Sequence, residues 1–201
     1  MFSQSLASQK PIFPHKLWAI CLILAPLLMF ISSFFWVNGE YDVTGGTLVV
    51  FASVFWIPAL MFLFGLLKEK YPNYAAWGLL IAILGFCSGM NFGFVGIVST
   101  IFDISHQSYL EGFAKYPVSS GLLLFWLGPL APLSLLVLAI MLMRSKTAPL
   151  WVGILLALGA IAFPLSRIPR IATIAHIADA LMLIPMAYLG IKFLRKEKIR
   201  I

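Results

Sequence analysis

A chain of 201 residues that is 62% hydrophobic and only 10% charged has too little polar surface to cover a soluble domain, which excludes an aqueous globular fold. Its mean hydropathy of +1.01 points instead to a bilayer as solvent. The net charge of +7 would suggest nucleic acid in a soluble protein, but here the basic residues gather at the ends of apolar runs, so no nucleic-acid partner is expected.

The first sixteen residues are polar and end in Pro14-His15-Lys16. The apolar run that follows is long enough to span, so it reads as an uncleaved first helix. A span needs roughly 20 apolar residues to cross about 30 Å of hydrocarbon. By that measure the predicted spans are Leu17–Val37, Thr47–Leu67, Tyr74–Phe102, Ser120–Met143, Leu150–Leu165 and Ile171–Leu194. Lipid leaves no backbone polar group unpaired, and the alternation of a barrel is absent. The expectation is an all-α polytopic transmembrane bundle, one membrane domain over residues 1–201, with no room for a soluble domain. Cys21 and Cys87 fall inside apolar runs and read as small hydrophobes, not as a disulfide.

Loop charge sets the expected orientation. Lys10, Lys16, Lys68, Lys70, Arg144, Lys146, Lys192, Arg195, Lys196, Lys198 and Arg200 share one side, eleven of the 14 basic residues. Lys115, Arg167 and Arg170 are on the other. The positive-inside rule then places both termini in the cytoplasm, with the plasma membrane as the expected location. The terminal cluster from Lys192 to Arg200 would lie against anionic headgroups, which makes membrane lipids expected partners.

The first and fourth spans share Leu24-Ala-Pro-Leu27 and Leu130-Ala-Pro-Leu133, a hint of an inverted repeat that no second match supports. In the third span Gly85, Gly89 and Gly93 recur every four residues and form a small-residue stripe. Such a stripe admits a neighbouring helix, a second copy or a partner subunit; a flat ligand such as a porphyrin is the alternative. Asn91 and Ser99 lie near it.

The longest loop opens with Asp103-Ile-Ser-His106 and continues with Tyr109, Phe113 and Tyr116 at i, i+4 and i+7. That spacing predicts a short amphipathic segment at headgroup level. The fifth span rises only about 24 Å from Leu150 to Leu165 at 1.5 Å per residue. The hairpin Ser166–Arg170 should therefore sit at the rim of the hydrocarbon, with Pro164 and Pro169 ending one helix and starting the next.

The final span carries His176-Ile-Ala-Asp179. Asp179 lies about 13 Å along the helix from Arg170, and His176 about 9 Å. A carboxylate at that depth is costly and marks a functional candidate. Together with Arg167 and Arg170 this points to an anion site, with Asp103, Asn91 and Ser99 as further ligand-binding candidates between spans three and six. A simpler alternative pairs the arginines with Asp103 or Glu111. No cofactor is the leading expectation; a metal across Asp103, His106, His176 and Asp179 is a weaker alternative because the depths match poorly, and a haem between His106 and His176 is a weaker one still on the same ground.

P-loop, zincin, serine-hydrolase and dinucleotide motifs are all absent. The leading expectation is a multi-pass membrane protein that binds or transports a small or lipid-like anionic ligand at its outer half. The alternatives are a non-catalytic accessory subunit of a membrane complex and an intramembrane lipid-modifying enzyme, the last lacking a visible nucleophile.

Overall fold

The computed structural model of the chain describes residues 15–198. The polar segment with Lys10, and Arg200 of the terminal basic cluster, lie outside the described residues. The elements are α1 (His15–Ser32), a 3-10 turn Ser33–Phe35, a hairpin of β1 (Trp36–Val37) and β2 (Glu40–Tyr41), α2 (Val43–Gly65) and α3 (Pro72–Ile101). Then follow α4 (His106–Ala114), α5 (Pro117–Ser120), α6 (Leu130–Ser145), α7 (Leu150–Arg167) and α8 (Ala172–Lys198). Six stretches are long and apolar enough to cross a membrane, the architecture of a multi-pass integral membrane protein. They agree with the expected spans to within about four residues at each end. Helix α4 is the amphipathic segment expected after Asp103, capped by Ser105, whose hydroxyl accepts from Ser108 N at 3.2 Å.

Each span packs against its sequence neighbours, and α8 returns to α1. The order around the resulting closed ring is α1, α2, α3, α6, α7, α8. This corrects the expectation of a polar site between spans three and six: α8 lies along α1 and α7, and α3 along α2 and α6. Side chains from all six spans meet on the axis, among them Met29, Trp56, Phe86, Leu135, Phe163 and Met182. They leave an apolar cavity of only about 20 Å³.

Both the interior and the lipid-facing sides of these helices are apolar, so transfer from water cannot sort one from the other. Close packing does. Helices α2 and α3 meet at Gly46 and Gly93, where a Cβ on Gly93 would lie 2.7 Å from the Gly46 carbonyl oxygen. Gly85 faces the α6 backbone at Leu130 and Ala131. Gly159 packs on α8 and Gly190 on α1. Gly89, the middle member of the stripe, has nothing within 4 Å.

The fourth span is broken where a continuous helix was expected. After α5 the chain makes a π-helical turn, Gly121–Phe125, with Trp126 N bonded to Gly121 O at 2.7 Å. Pro129 has no N–H, so the ladder cannot pass through it, and α6 starts afresh at Leu130. The carbonyl of Leu123 accepts instead from Ser88 Oγ at 2.9 Å and Asn91 Nδ2 at 2.8 Å. Asn91 thus repairs the broken helix. The fifth span departs the other way: α7 continues through Pro164 to Arg167. Its next turn still closes, with Ile168 N bonded to Pro164 O at 3.0 Å.

The small-residue contacts make a sharp prediction. Gly93→Leu should destabilise the detergent-solubilised protein by about 1–3 kcal/mol, since its side chain meets backbone that cannot yield. Gly89→Leu, on the same stripe, should leave the thermal unfolding midpoint nearly unchanged. Equal effects would mean that α2 and α3 are not in close contact.

Candidate functional site

The polar groups of the bundle converge at the end opposite the termini, and the α1–α2 hairpin organises them. Asn38 and Gly39 at its tip have φ of 54° and 80°. Two consecutive left-handed residues make the tight turn whose twist suits a two-residue hairpin. The absence of a side chain on Gly39 matters as much as its φ: a Cβ there would lie 2.7 Å from Arg170 Cβ. The hairpin therefore slides under the α7–α8 turn and delivers Glu40 to Arg170.

Arg170 holds the C′ position of α7, where glycine is usual. Its φ is 58°, and Ile171 N reaches back to Ser166 O at 3.0 Å. A left-handed non-glycine residue costs roughly 1–2 kcal/mol. The side chain so positioned donates to Glu40 through Nη1, and through Nη2 to Tyr109 Oη at 3.1 Å. Tyr109 in turn donates to Glu40 at 3.1 Å. His106 Nδ1 lies 2.6 Å from Glu40 and 3.1 Å from Arg170 Nη2. Protonated, that nitrogen donates to the carboxylate; unprotonated, it accepts from the guanidinium. Arg170 remains about a third exposed. Burial pushes the Glu40 carboxyl up, but the hydrogen bonds from Arg170 and Tyr109 and the nearby positive charge outweigh it, leaving Glu40 below its ordinary value.

Beneath this cluster lies a second, buried one. Arg167 Nη2 donates to both oxygens of Asp179, at 3.0 and 2.8 Å, and Nη1 donates to Ser166 Oγ at 2.9 Å. Asp179 is 0% exposed. The guanidinium is stacked 4.2 Å over the Phe163 ring and 5.3 Å from the Trp36 ring, and the Tyr41 hydroxyl also faces it. His176, one turn from Asp179, bonds Ser33 Oγ through Nδ1 at 2.8 Å, and Phe34 stacks on its ring at 4.1 Å. Among the described residues, two buried donors of this cluster, Arg167 Nε and Trp36 Nε1, meet no acceptor, and neither does Trp56 Nε1 in the core.

The structure brings together four of the expected residues in two layers: Arg167, His176 and Asp179 below, and Arg170 above, joined there by His106. Pairing of the arginines with Asp103 or Glu111 is corrected: Asp179 and Glu40 take them because the tight hairpin and the α7–α8 turn place those carboxylates closer. Glu111 accepts from Gln107 instead, at 2.9 Å. Asp103 caps α3 with φ 49°, while Ile104 N reaches Ser99 O at 2.8 Å. Ser99 Oγ donates within its own helix to Gly96 O at 3.1 Å. Among the described residues no three His, Cys, Asp or Glu side chains come together as a metal site, so Asp103 and His106 do not join His176 and Asp179.

Sequence reasoning missed Ser33, Phe34, Trp36 and Glu40. The signal was there for the hairpin: Asn38-Gly39 between Trp36-Val37 and Glu40-Tyr41 is a strong short-range turn pattern. Ser33 and His176 also stand at nucleophile–base distance. Ser33 has one proton, however, and its Oγ lies 2.8 Å from the Phe30 carbonyl. Given to that carbonyl, the proton leaves Ser33 accepting from the imidazole, the reverse of nucleophile activation. The chain matches no protein-family model, no curated protein and no solved structure.

Breaking the buried pair should be far more costly than removing it. Asp179→Leu should destabilise the protein by about 3–5 kcal/mol, and Arg167→Met combined with Asp179→Leu should recover most of that loss. Chemical unfolding of the three variants in detergent measures both. Additive losses would mean that the two residues do not depend on each other.

The upper cluster predicts a pH dependence. A carboxyl held below its ordinary value of 4.5 in the folded state stabilises the fold above that pH, and the contribution is lost as pH falls through the folded value. The wild-type unfolding midpoint should therefore drop below about pH 4.5 more steeply than that of Glu40→Gln. Parallel pH curves would remove Glu40 from the account.

Proposed function

We propose that this multi-pass membrane protein binds a small or headgroup-type anionic ligand at the end of the ring opposite its termini. One observation carries the reading: the buried donors Arg167 Nε and Trp36 Nε1 lie in one aromatic–guanidinium stack without an acceptor. An unsatisfied buried donor costs roughly 1–3 kcal/mol. An oxyanion or a phosphate headgroup supplies the oxygens that such donors need. Arg170, a third exposed and rimmed by His106 and Tyr109, is the first cation such a ligand meets. Transport of the ligand would further require the filled axis to open. The termini belong on the cytoplasmic side in this reading, because most basic residues flank them.

A second reading is that of a non-catalytic accessory subunit in which the two ion pairs act only as fasteners. It is supported by the way both pairs tie the ring shut, each arginine already having a carboxylate.

Trp36→Phe separates the two. It keeps an aromatic ring beside Arg167 and removes one orphan donor. On the binding reading, inorganic phosphate or a short-chain phosphatidylglycerol raises the unfolding temperature of the wild type, and Trp36→Phe and Arg170→Gln each abolish most of that rise. On the fastener reading, Trp36→Phe is as stable as the wild type or more so, and neither probe has an effect.

Sidedness has its own check. A cysteine placed at Glu111 should react with an impermeant thiol reagent added outside intact cells, and one placed at Lys146 should not. The opposite labelling pattern would invert the orientation.

A further inference from the structure

At the other end of the ring, on its lipid-facing side, a groove runs between α3 and α6. It is lined by Tyr74, Gly78 and Ile81 on one wall and by Leu130, Leu133 and Val137 on the other, and its volume is about 190 Å³. Leu133 and Val137 are 54% and 44% exposed, so the groove opens outward and not into the ring. Gly78 makes its floor: a Cβ there would already press on the Phe64 and Tyr74 rings.

Helical periodicity carries the α6 wall to a charge. Residues 133, 137, 140 and 144 follow one another on a single face, so Arg144 stands about 10 Å beyond Val137 in line with the groove. From the opposite side Lys70 reaches across the end of α6 and donates to Ser145 O at 2.7 Å. That bond fixes the α2–α3 turn, with Lys68, beside Arg144 and Lys146. Among the described residues, the α2–α3 turn and the end of α6 together carry four cations, Lys68, Lys70, Arg144 and Lys146, and one carboxylate, Glu69. Among the described residues none of these five is in an ion pair. Trp77 is 68% exposed on the same turn of α3, where an interfacial indole belongs.

An apolar groove about 10 Å long, in line with cations that form no ion pair among the described residues, has the chemistry of one ligand. We propose that it binds an anionic phospholipid, with an acyl chain between α3 and α6 and the phosphate at Arg144, Lys68 and Lys146. The arginine supplies the paired donors that a phosphate takes, and the lysines supply charge. The site is separate from the proposed anion site at the hairpin end and does not rest on it.

Native mass spectrometry and thermal unfolding of the full chain in detergent, with phosphatidylglycerol or phosphatidylcholine added, test the proposal. Phosphatidylglycerol should be retained in preference and should raise the unfolding temperature more. Arg144→Gln should lower that preference about fivefold, the worth of one basic side chain at an anionic surface. Val137→Trp, which fills the groove from an exposed position, should abolish retention of both lipids, while Arg170→Gln should leave the preference intact. Equal retention of the two lipids overturns the proposal. So does a preference that survives both Arg144→Gln and Val137→Trp, because the anionic headgroup is then held elsewhere, such as at Lys192 and Arg195. Stabilisation by inorganic phosphate alone that matches phosphatidylglycerol overturns it as well, since the groove then plays no part.

Discussion

A buried carboxylate two turns into an apolar helix needs a cation, and Asp179 finds one on the preceding helix. The pair with Arg167 brings α7 and α8 together at one end of the bundle. Around it the hairpin after α1 supplies Ser33 to His176 and Trp36 to the guanidinium, so α1 is drawn against α8. That contact closes the ring. Closure therefore rests on a few strong polar interactions at one end, while the rest of each interface is held by close packing. In a bilayer this division follows from the solvent: dispersion between helices barely exceeds dispersion with lipid, and an unmet charge costs several kcal/mol.

The same requirement explains the broken fourth span. The π-helical turn and Pro129 interrupt the helical ladder, and the carbonyl of Leu123 lies in the interrupted stretch. Ser88 and Asn91 on α3 satisfy it. Polar residues in these spans thus divide by what they answer. Ser88 and Asn91 answer a backbone defect, as Asp179 answers a buried guanidinium. Among the described residues, Arg167 Nε and Trp36 Nε1 at the hairpin end, like Trp56 Nε1 in the core, meet no acceptor.

Much of this fold was legible in the sequence because hydrophobic length has one solution in lipid. All six spans and the amphipathic helix after Asp103 follow from apolar runs and a rise of about 1.5 Å per residue. What was not legible was which spans are neighbours. Helices apolar on every side carry no moment to aim them, so the pairing of α8 with α1 and α7 could not be read from periodicity. The arginine partners were misassigned for a related reason. Asp103 and Glu111 were the alternative partners on the same expected side, whereas a four-residue detail, the Asn38-Gly39 turn and its flanks, put Glu40 within reach of Arg170. The break in the fourth span was visible as Gly128-Pro129 and Pro132, but its repair by Asn91 required knowing that α3 packs on α6.

The two ends of the ring differ in how their charges are used. At the hairpin end Arg167 and Arg170 each meet a carboxylate, so the excess there is in donors and not in charge. At the terminal end, among the described residues, Lys68, Arg144 and Lys146 are in no ion pair, so the excess is in charge itself. The two proposed sites would take oxygen-rich anions for different physical reasons. A donor excess inside a dry stack selects by geometry, since an acceptor must reach Nε or the indole N–H. A charge excess at an exposed groove selects by sign, is screened by salt and gains specificity from the apolar wall beside it. The axis between them holds an apolar cavity of about 20 Å³ walled by Met, Trp, Phe, Leu, Ala and Pro side chains.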